Sequence, residues 1–195
     1  MQREDWFPVP VYFDIIDSAI IDCEEVAQEC RDYRDKNEGR ILSNVDGWQS
    51  EDVVFNFKYK HLEKVKNLIE DKASLVFTDY GIKSNIKPVV ANGWININQN
   101  NNYNQIHNHP GVCMAAVFYV KVPKDSGRIV MMRDQNVTFF NDMCSDMSNS
   151  ATYPSATYTP EPGKLLFFPA WLPHFVEPNK SKEERISIAF NVGRF

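Results

Sequence analysis

Apolar residues in the first part of the chain recur at three- and four-residue spacing. Ile16, Ile20, Cys23, Ala27 and Cys30 form one series. It predicts a helix capped by Asp14 or Asp17 and running to about residue 35, with Gly39 at or just past its end. Leu62, Val65, Leu68, Ile69, Ala73 and Val76 form a second series, predicting a helix over 61–78. After Gly81 the period changes to two. Within 89–98, Trp94, Asn96 and Asn98 alternate with Ile95 and Ile97, which puts polar and apolar residues on opposite faces of a strand. Further strands are predicted over 112–121, 127–133, 136–140, 164–169, 174–178 and 185–193, most of them separated by Pro- and Gly-containing turns. Residues 6–13, with Pro8 and Pro10, read as an extended edge segment. Residues 43–50 read as a loop turning at Asp46-Gly47, and 99–105 as a polar hairpin loop. The stretch 141–161 is too long for a plain turn and is a candidate lid or insertion.

Two helices followed by many short strands predict an α+β chain whose main body is a sandwich or jelly roll. At 195 residues a single domain is expected over 1–195, helical through about residue 80, with the strand-rich core over 88–195. The net charge of −5 argues against non-specific binding to nucleic acid or to anionic membranes. Cys23, Cys30, Cys113 and Cys144 form no C-x-x-C pair and are expected to be reduced thiols. No apolar signal region follows the charged residues 1–5, and no apolar run reaches membrane-spanning length. A soluble cytoplasmic protein is the expectation.

The candidate chemistry lies in the histidines. Three of the four are His107, His109 and His174; His61 opens the second helix and reads as a surface residue. Imidazole is the commonest metal donor in proteins. His107 and His109 are two apart, so on a strand they would share a face. A local pair with one distant ligand fills three positions and leaves others open, as a catalytic ion requires. In 185–191, Ile186 and Ile188 alternate with Arg185 and Ser187. If the isoleucines face one side, the arginine faces the other and needs an anion there. The bland alternative, a surface ion pair of Arg185 with Glu183 or Glu184, conflicts with that phase.

These residues carry a resemblance to a known family. Trp94-x-Asn96-x-Asn98, His107-x-His109-Pro110-Gly111, Val117-Phe118-Tyr119-Val120, Phe168-Pro169-x-Trp171-Leu172-x-His174 and Arg185-x-Ser187-x-x-x-Asn191 follow one another in an order that resembles 2-oxoglutarate/iron(II)-dependent oxygenases. The similarity is to a group related to prolyl hydroxylases and known from marine bacteria and their phages; for a phage-encoded member the cytoplasm would be the host's. It implies a double-stranded β-helix (jelly-roll) core with the N-terminal helices packed on one sheet. It also implies Fe(II) as cofactor and 2-oxoglutarate as co-substrate, with His107 and His174 as metal ligands. Arg185 would bind the far carboxylate of 2-oxoglutarate, with Ser187 and Tyr119 as further contacts. The expected activity is hydroxylation of a C–H bond, coupled to decarboxylation of 2-oxoglutarate to succinate.

One position departs from the family. Its members mostly carry Asp or Glu two residues after the first histidine, where this chain has His109. Three readings stand: His109 is a third ligand, or it is an outer group beside two histidines, or Asp134 supplies a carboxylate instead. Two other functions remain open. The chain would be a jelly-roll binding or virion-associated protein with a structural or vestigial metal, or a three-histidine dioxygenase that needs no 2-oxoglutarate. The substrate is not legible.

Overall fold

The computed structural model describes residues 2, 7–52, 59–133 and 153–194. It is mostly β, with two helices and two antiparallel sheets. The helices are α1 (Cys23–Arg34) and α2 (Lys60–Asp79). Strands β1 (Tyr12–Ile15), β3 (Trp48–Gln49), β4 (Pro88–Asn98), β6 (Met114–Lys121), β9 (Lys164–Pro169) and β11 (Arg185–Arg194) form a six-stranded sheet in the order β1-β9-β6-β11-β4-β3. Strands β2 (Asn44–Val45), β5 (Tyr103–His107), β7 (Ile129–Met132), β8 (Ser155–Tyr158) and β10 (His174–Val176) form a five-stranded sheet in the order β2-β5-β10-β7-β8.

Alternation along the six-stranded sheet sorts its side chains into two cores. Met114, Ala116, Phe118 and Val120 join Ile95, Ile97, Ile186, Ile188 and Phe190 beneath the helices, packing on Val26, Cys30, Val65 and Ile69. Ala115, Val117, Tyr119, Leu166 and Phe168 face the other sheet and meet Ile129 and Met131. A strand covered on both faces cannot alternate with polar residues, and β6 is accordingly apolar almost throughout. Burial of these two layers supplies the main driving force for the fold.

Local chemistry corrects several expectations. The first helix begins at Cys23, not near residue 14: Asp14 lies in β1 and pairs with Lys72, while Asp17 accepts from the Ala19 N–H in a turn. Asp22 is the cap, accepting from the N–H groups of Glu24 and Glu25, and Ile20 is left exposed. Helix α2 has no side-chain cap of its own. Glu29 of α1 accepts from the His61 and Leu62 N–H groups instead, so one helix terminates the other. The 43–50 loop crosses between the sheets through β2 and β3, with Asp46 at φ 58°. Residues 103–107 form a strand, and 155–158, expected within a lid, form the edge strand β8. The strand expected over 136–140 and most of the lid candidate lie outside the described residues, as does Cys144. No helix among the described residues is long and apolar enough to cross a membrane.

Candidate metal centre

The inner face of the six-stranded sheet is apolar along β6 and β9 but polar along β4 and β11. Trp94, Asn96 and Asn98 stand opposite Ala189, Ser187 and Arg185 across the ladder, and Asn92 stands opposite Asn191. These residues look across at the five-stranded sheet, where His107 and His174 are direct cross-strand partners. The register slips between β5 and β10, so Gln105 and Ile106 together oppose Phe175 alone. Such a bulge re-aims the chain next to a site. Here it brings the Gln105 carbonyl to within 2.7 Å of His107 Nδ1.

His109 does not share a strand with His107, as the two-residue spacing predicts; β5 ends at His107. Pro110 and Gly111, at φ 85°, follow His109 in a turn, and its N–H donates to the Ala170 carbonyl at 2.8 Å. Its ring stacks on Trp94, centroids 5.6 Å apart and planes 18° apart. This loop nonetheless returns the imidazole to its neighbours. Donor nitrogens of His107, His109 and His174 all lie within 4.8 Å of one another.

Hydrogen bonding fixes which nitrogens face inward. His107 Nδ1 meets the Gln105 carbonyl at 2.7 Å, His174 Nδ1 the Leu172 carbonyl at 2.9 Å, and His109 Nδ1 the Asn191 Oδ1 at 2.6 Å. A carbonyl oxygen only accepts, so each Nδ1 carries the proton and each Nε2 presents a lone pair. His109 Nε2 and His174 Nε2 then face each other at 3.3 Å as two buried acceptors with no proton between them. That contact is unfavourable unless a cation sits against both, and bonds of about 2.1 Å from each nitrogen reach one ion. Burial, reinforced by the neighbouring His107, pushes the His109 imidazole down to about 4 and the His174 imidazole to about 3. His107 is lowered as well, again chiefly by burial. All three rings are therefore neutral at neutral pH and able to act as metal donors. Among the described residues no carboxylate joins them. Asp134 lies outside the described residues.

Arg185 is 1% exposed and lines the same cavity as the three histidines, together with Ser187, Tyr119, Asn96, Asn104, Ser43 and apolar walls that include Phe168 and Ile129. Neighbouring Glu184 turns to the opposite side and pairs with Arg31 and Arg34 of α1. Arg185 donates from one terminal nitrogen to the Ser126 carbonyl, with the Gly127 and Glu177 carbonyls at 3.5 Å, and its Nε has no partner. It has no ion pair among the described residues. A buried guanidinium without an anion is costly, and burial lowers its proton affinity without removing its charge. Tyr119 is pushed up to about 12, with burial outweighing the nearby Arg185 charge, so its phenol stays protonated. The free space between these groups is about 50 Å³. That is far below the roughly 300–1,000 Å³ of ligand pockets, so ligand binding requires side chains to move. A larger cleft of about 700 Å³ opens at residues 122–128, 159–162, 177, 178 and 180, and among the described residues no histidine or cysteine lines it.

All six site residues expected from the sequence thus line one cavity. Asn191 stood in the sequence motif as a residue of the strand edge or of the pocket lining, without the ring-orienting role it has here, and the two backbone carbonyls that orient the other rings were not singled out. Asn191 carried a weak signal, since its phase with Arg185 places it on the inward face.

The sequence profile of the family described as "Putative 2OG-Fe(II) oxygenase" matches residues 92–191. No curated protein matches the chain. Among solved structures, a Pseudomonas putida prolyl-4-hydroxylase is similar at TM-score 0.64 and 13% identity, over 95% of this chain and 92% of that one. The viral collagen prolyl hydroxylase of Paramecium Bursaria Chlorella virus-1, solved with 2OG, gives TM-score 0.58 and 15% identity, over 93% and 95%. An oxidoreductase of the 2OG-Fe(II) oxygenase family from Burkholderia pseudomallei gives TM-score 0.52 and 18% identity. There 69% of this chain spans 57% of that protein.

Proposed function

The chain belongs to the 2OG-Fe(II) oxygenase family, and from that premise we propose that it hydroxylates a C–H bond, with His107, His109 and His174 holding the metal and Arg185, Ser187 and Tyr119 holding 2-oxoglutarate. The observation that carries this reading is a fully buried arginine without an anion, lining the same cavity as three imidazoles whose lone pairs converge. A purely structural ion would give Arg185 nothing to do. The interleaved strand orders, β9-β6-β11-β4 in one sheet and β5-β10-β7-β8 in the other, support reading the body as a double-stranded β-helix.

When bound, iron(II), 2-oxoglutarate and dioxygen supply the chemistry: the co-substrate is cleaved to succinate and carbon dioxide, and one oxygen atom enters the substrate C–H bond. The residues of the chain bind, orient and exclude water. Three neutral imidazoles leave the site one charge more positive than two histidines and a carboxylate would, which suits a dianionic co-substrate. Arg185 releases the Ser126 carbonyl and donates two parallel hydrogen bonds to the far carboxylate. Ser187 and the protonated Tyr119 stand on either side of the same ladder position and add donors to that carboxylate. Val117, Ile129, Phe168 and Val176 keep the cavity dry. Stoichiometric succinate from 2-oxoglutarate, dependent on iron(II) and air, tests the reading. Bound metal with no succinate above the metal-free control contradicts it.

A further inference from the structure

One rung of the six-stranded sheet is polar from its centre to its edge. Tyr119 is the cross-strand partner of Ser187, Ser187 of Asn96, Asn96 of Gln49, and Gln49 of Arg40. Directly paired residues of antiparallel strands share a face. Arg40, Gln49 and Asn96 therefore all stand on the inner face, the side of the histidines.

The outer half of this rung is unsatisfied. Asn96 Oδ1, Gln49 Oε1 and Arg40 Nε are each enclosed and have no hydrogen-bond partner. Gln49 and Asn96 are 1% and 7% exposed. Arg40 has no ion pair among the described residues, although Glu38 is two residues away. Buried polar groups in native proteins are nearly always paired, and three unpaired in a row mark a place where a ligand completes the set. The row is continuous with the metal cavity. Asn96 lines that cavity directly, and so does Ser43, three residues after Arg40. Arg40 lies two strand spacings, roughly 10 Å, from Asn96. An arginine side chain and a small ligand together cover that distance.

The chemistry of the row limits its occupant. Two amide oxygens call for N–H donors, and the guanidinium beside them calls for an anion. Among the described residues no acidic side chain lines the cavity, and the amide oxygens are the acceptors offered there. We infer that Arg40, Gln49 and Asn96 form the substrate subsite, and that the substrate is a free α-amino acid. Its carboxylate lies on Arg40, its ammonium donates to Gln49 and Asn96, and its side chain extends toward the three imidazoles. The fate of the ligand rests on the oxygenase reading, whereas its binding does not.

The test measures thermal shifts with each of the twenty free L-amino acids and with the corresponding C-terminal amides. Wild type, Arg40→Met and Arg40→Lys are compared, with and without iron(II) and 2-oxoglutarate under nitrogen. At least one free amino acid is expected to raise the melting temperature and its amide to fail. Half-saturation should weaken at least tenfold in Arg40→Met and less in Arg40→Lys, which retains the charge. Binding of no amino acid, equal binding of the amide, or equal binding by a folded Arg40→Met overturns the inference. Succinate formation in air is read in parallel. A shift that depends on Arg40 without any succinate upholds the subsite and contradicts the oxygenase reading; succinate without such a shift does the reverse.

Discussion

His109 stands where the family usually places a carboxylate, and its companion Asn191 replaces charge with geometry. The 2.6 Å contact from Asn191 Oδ1 to His109 Nδ1 selects the tautomer that turns Nε2 inward. Outer groups of this kind typically tune metal affinity by about 10–100-fold. Asn191→Leu should therefore weaken iron(II) binding by roughly that factor while the fold persists, as a competitive chelator titration with circular dichroism would read. Unchanged affinity would remove Asn191 from the site. At this scale much was legible. Histidine is scarce, and the phase of Arg185 against Ile186 and Ile188 already pointed the arginine inward. The Gln105 and Leu172 carbonyls were not legible, because a backbone oxygen is aimed by register and carries no residue signature.

Elements turn that residue chemistry into a cavity. The turn between β6 and β7 presents the Ser126 and Gly127 carbonyls to Arg185, and it depends on Gly127 at φ 85°. A Cβ there would run into the Glu177 carbonyl, and a left-handed φ disfavours any L side chain. Gly127→Ala should lower stability by about 1–3 kcal/mol and raise the half-saturating 2-oxoglutarate concentration, since the turn that parks Arg185 would shift. Denaturant melts and succinate kinetics check both effects, and a variant as stable as wild type would show that the turn is not constrained. The long helix and long strands were legible from their periods. The start of α1 was misplaced because three aspartates compete as caps and only tertiary pairing removes Asp14. Strand β5 was hidden in an Asn-rich stretch, where polar residues bury side chains at the site rather than in an apolar layer.

For the whole molecule, the cost of the site appears as pH dependence. Unfolded histidines titrate near 6.5, whereas His109 and His174 in the fold titrate at about 4 and about 3. Below 6.5 the unfolded chain binds protons that the fold refuses. The histidines' contribution is thus complete above 6.5 and is lost as pH falls toward 3, by about 1 kcal/mol per histidine one unit below its ordinary value. The carboxylates held low by ion pairs, such as Glu177 and Glu184, lose their contribution only below 4.5. The melting temperature of metal-free protein should therefore fall between pH 6.5 and 5, and His174→Gln should flatten that slope. A flat wild-type profile would mean that the imidazoles are not buried neutral. The meeting of strands about seventy positions apart was expected from the family resemblance; the sequence pattern alone left the strand order open.

The central claim is that one iron(II) ion, held by His107, His109 and His174, shares its cavity with 2-oxoglutarate anchored by Arg185. Anaerobic titration of the iron-loaded protein with 2-oxoglutarate, followed by visible absorption, tests it most directly. The account predicts a weak charge-transfer band that saturates at one equivalent in wild type and needs far more co-substrate in Arg185→Ala. Iron bound at one equivalent with no band, or an identical titration for the two proteins, would contradict it.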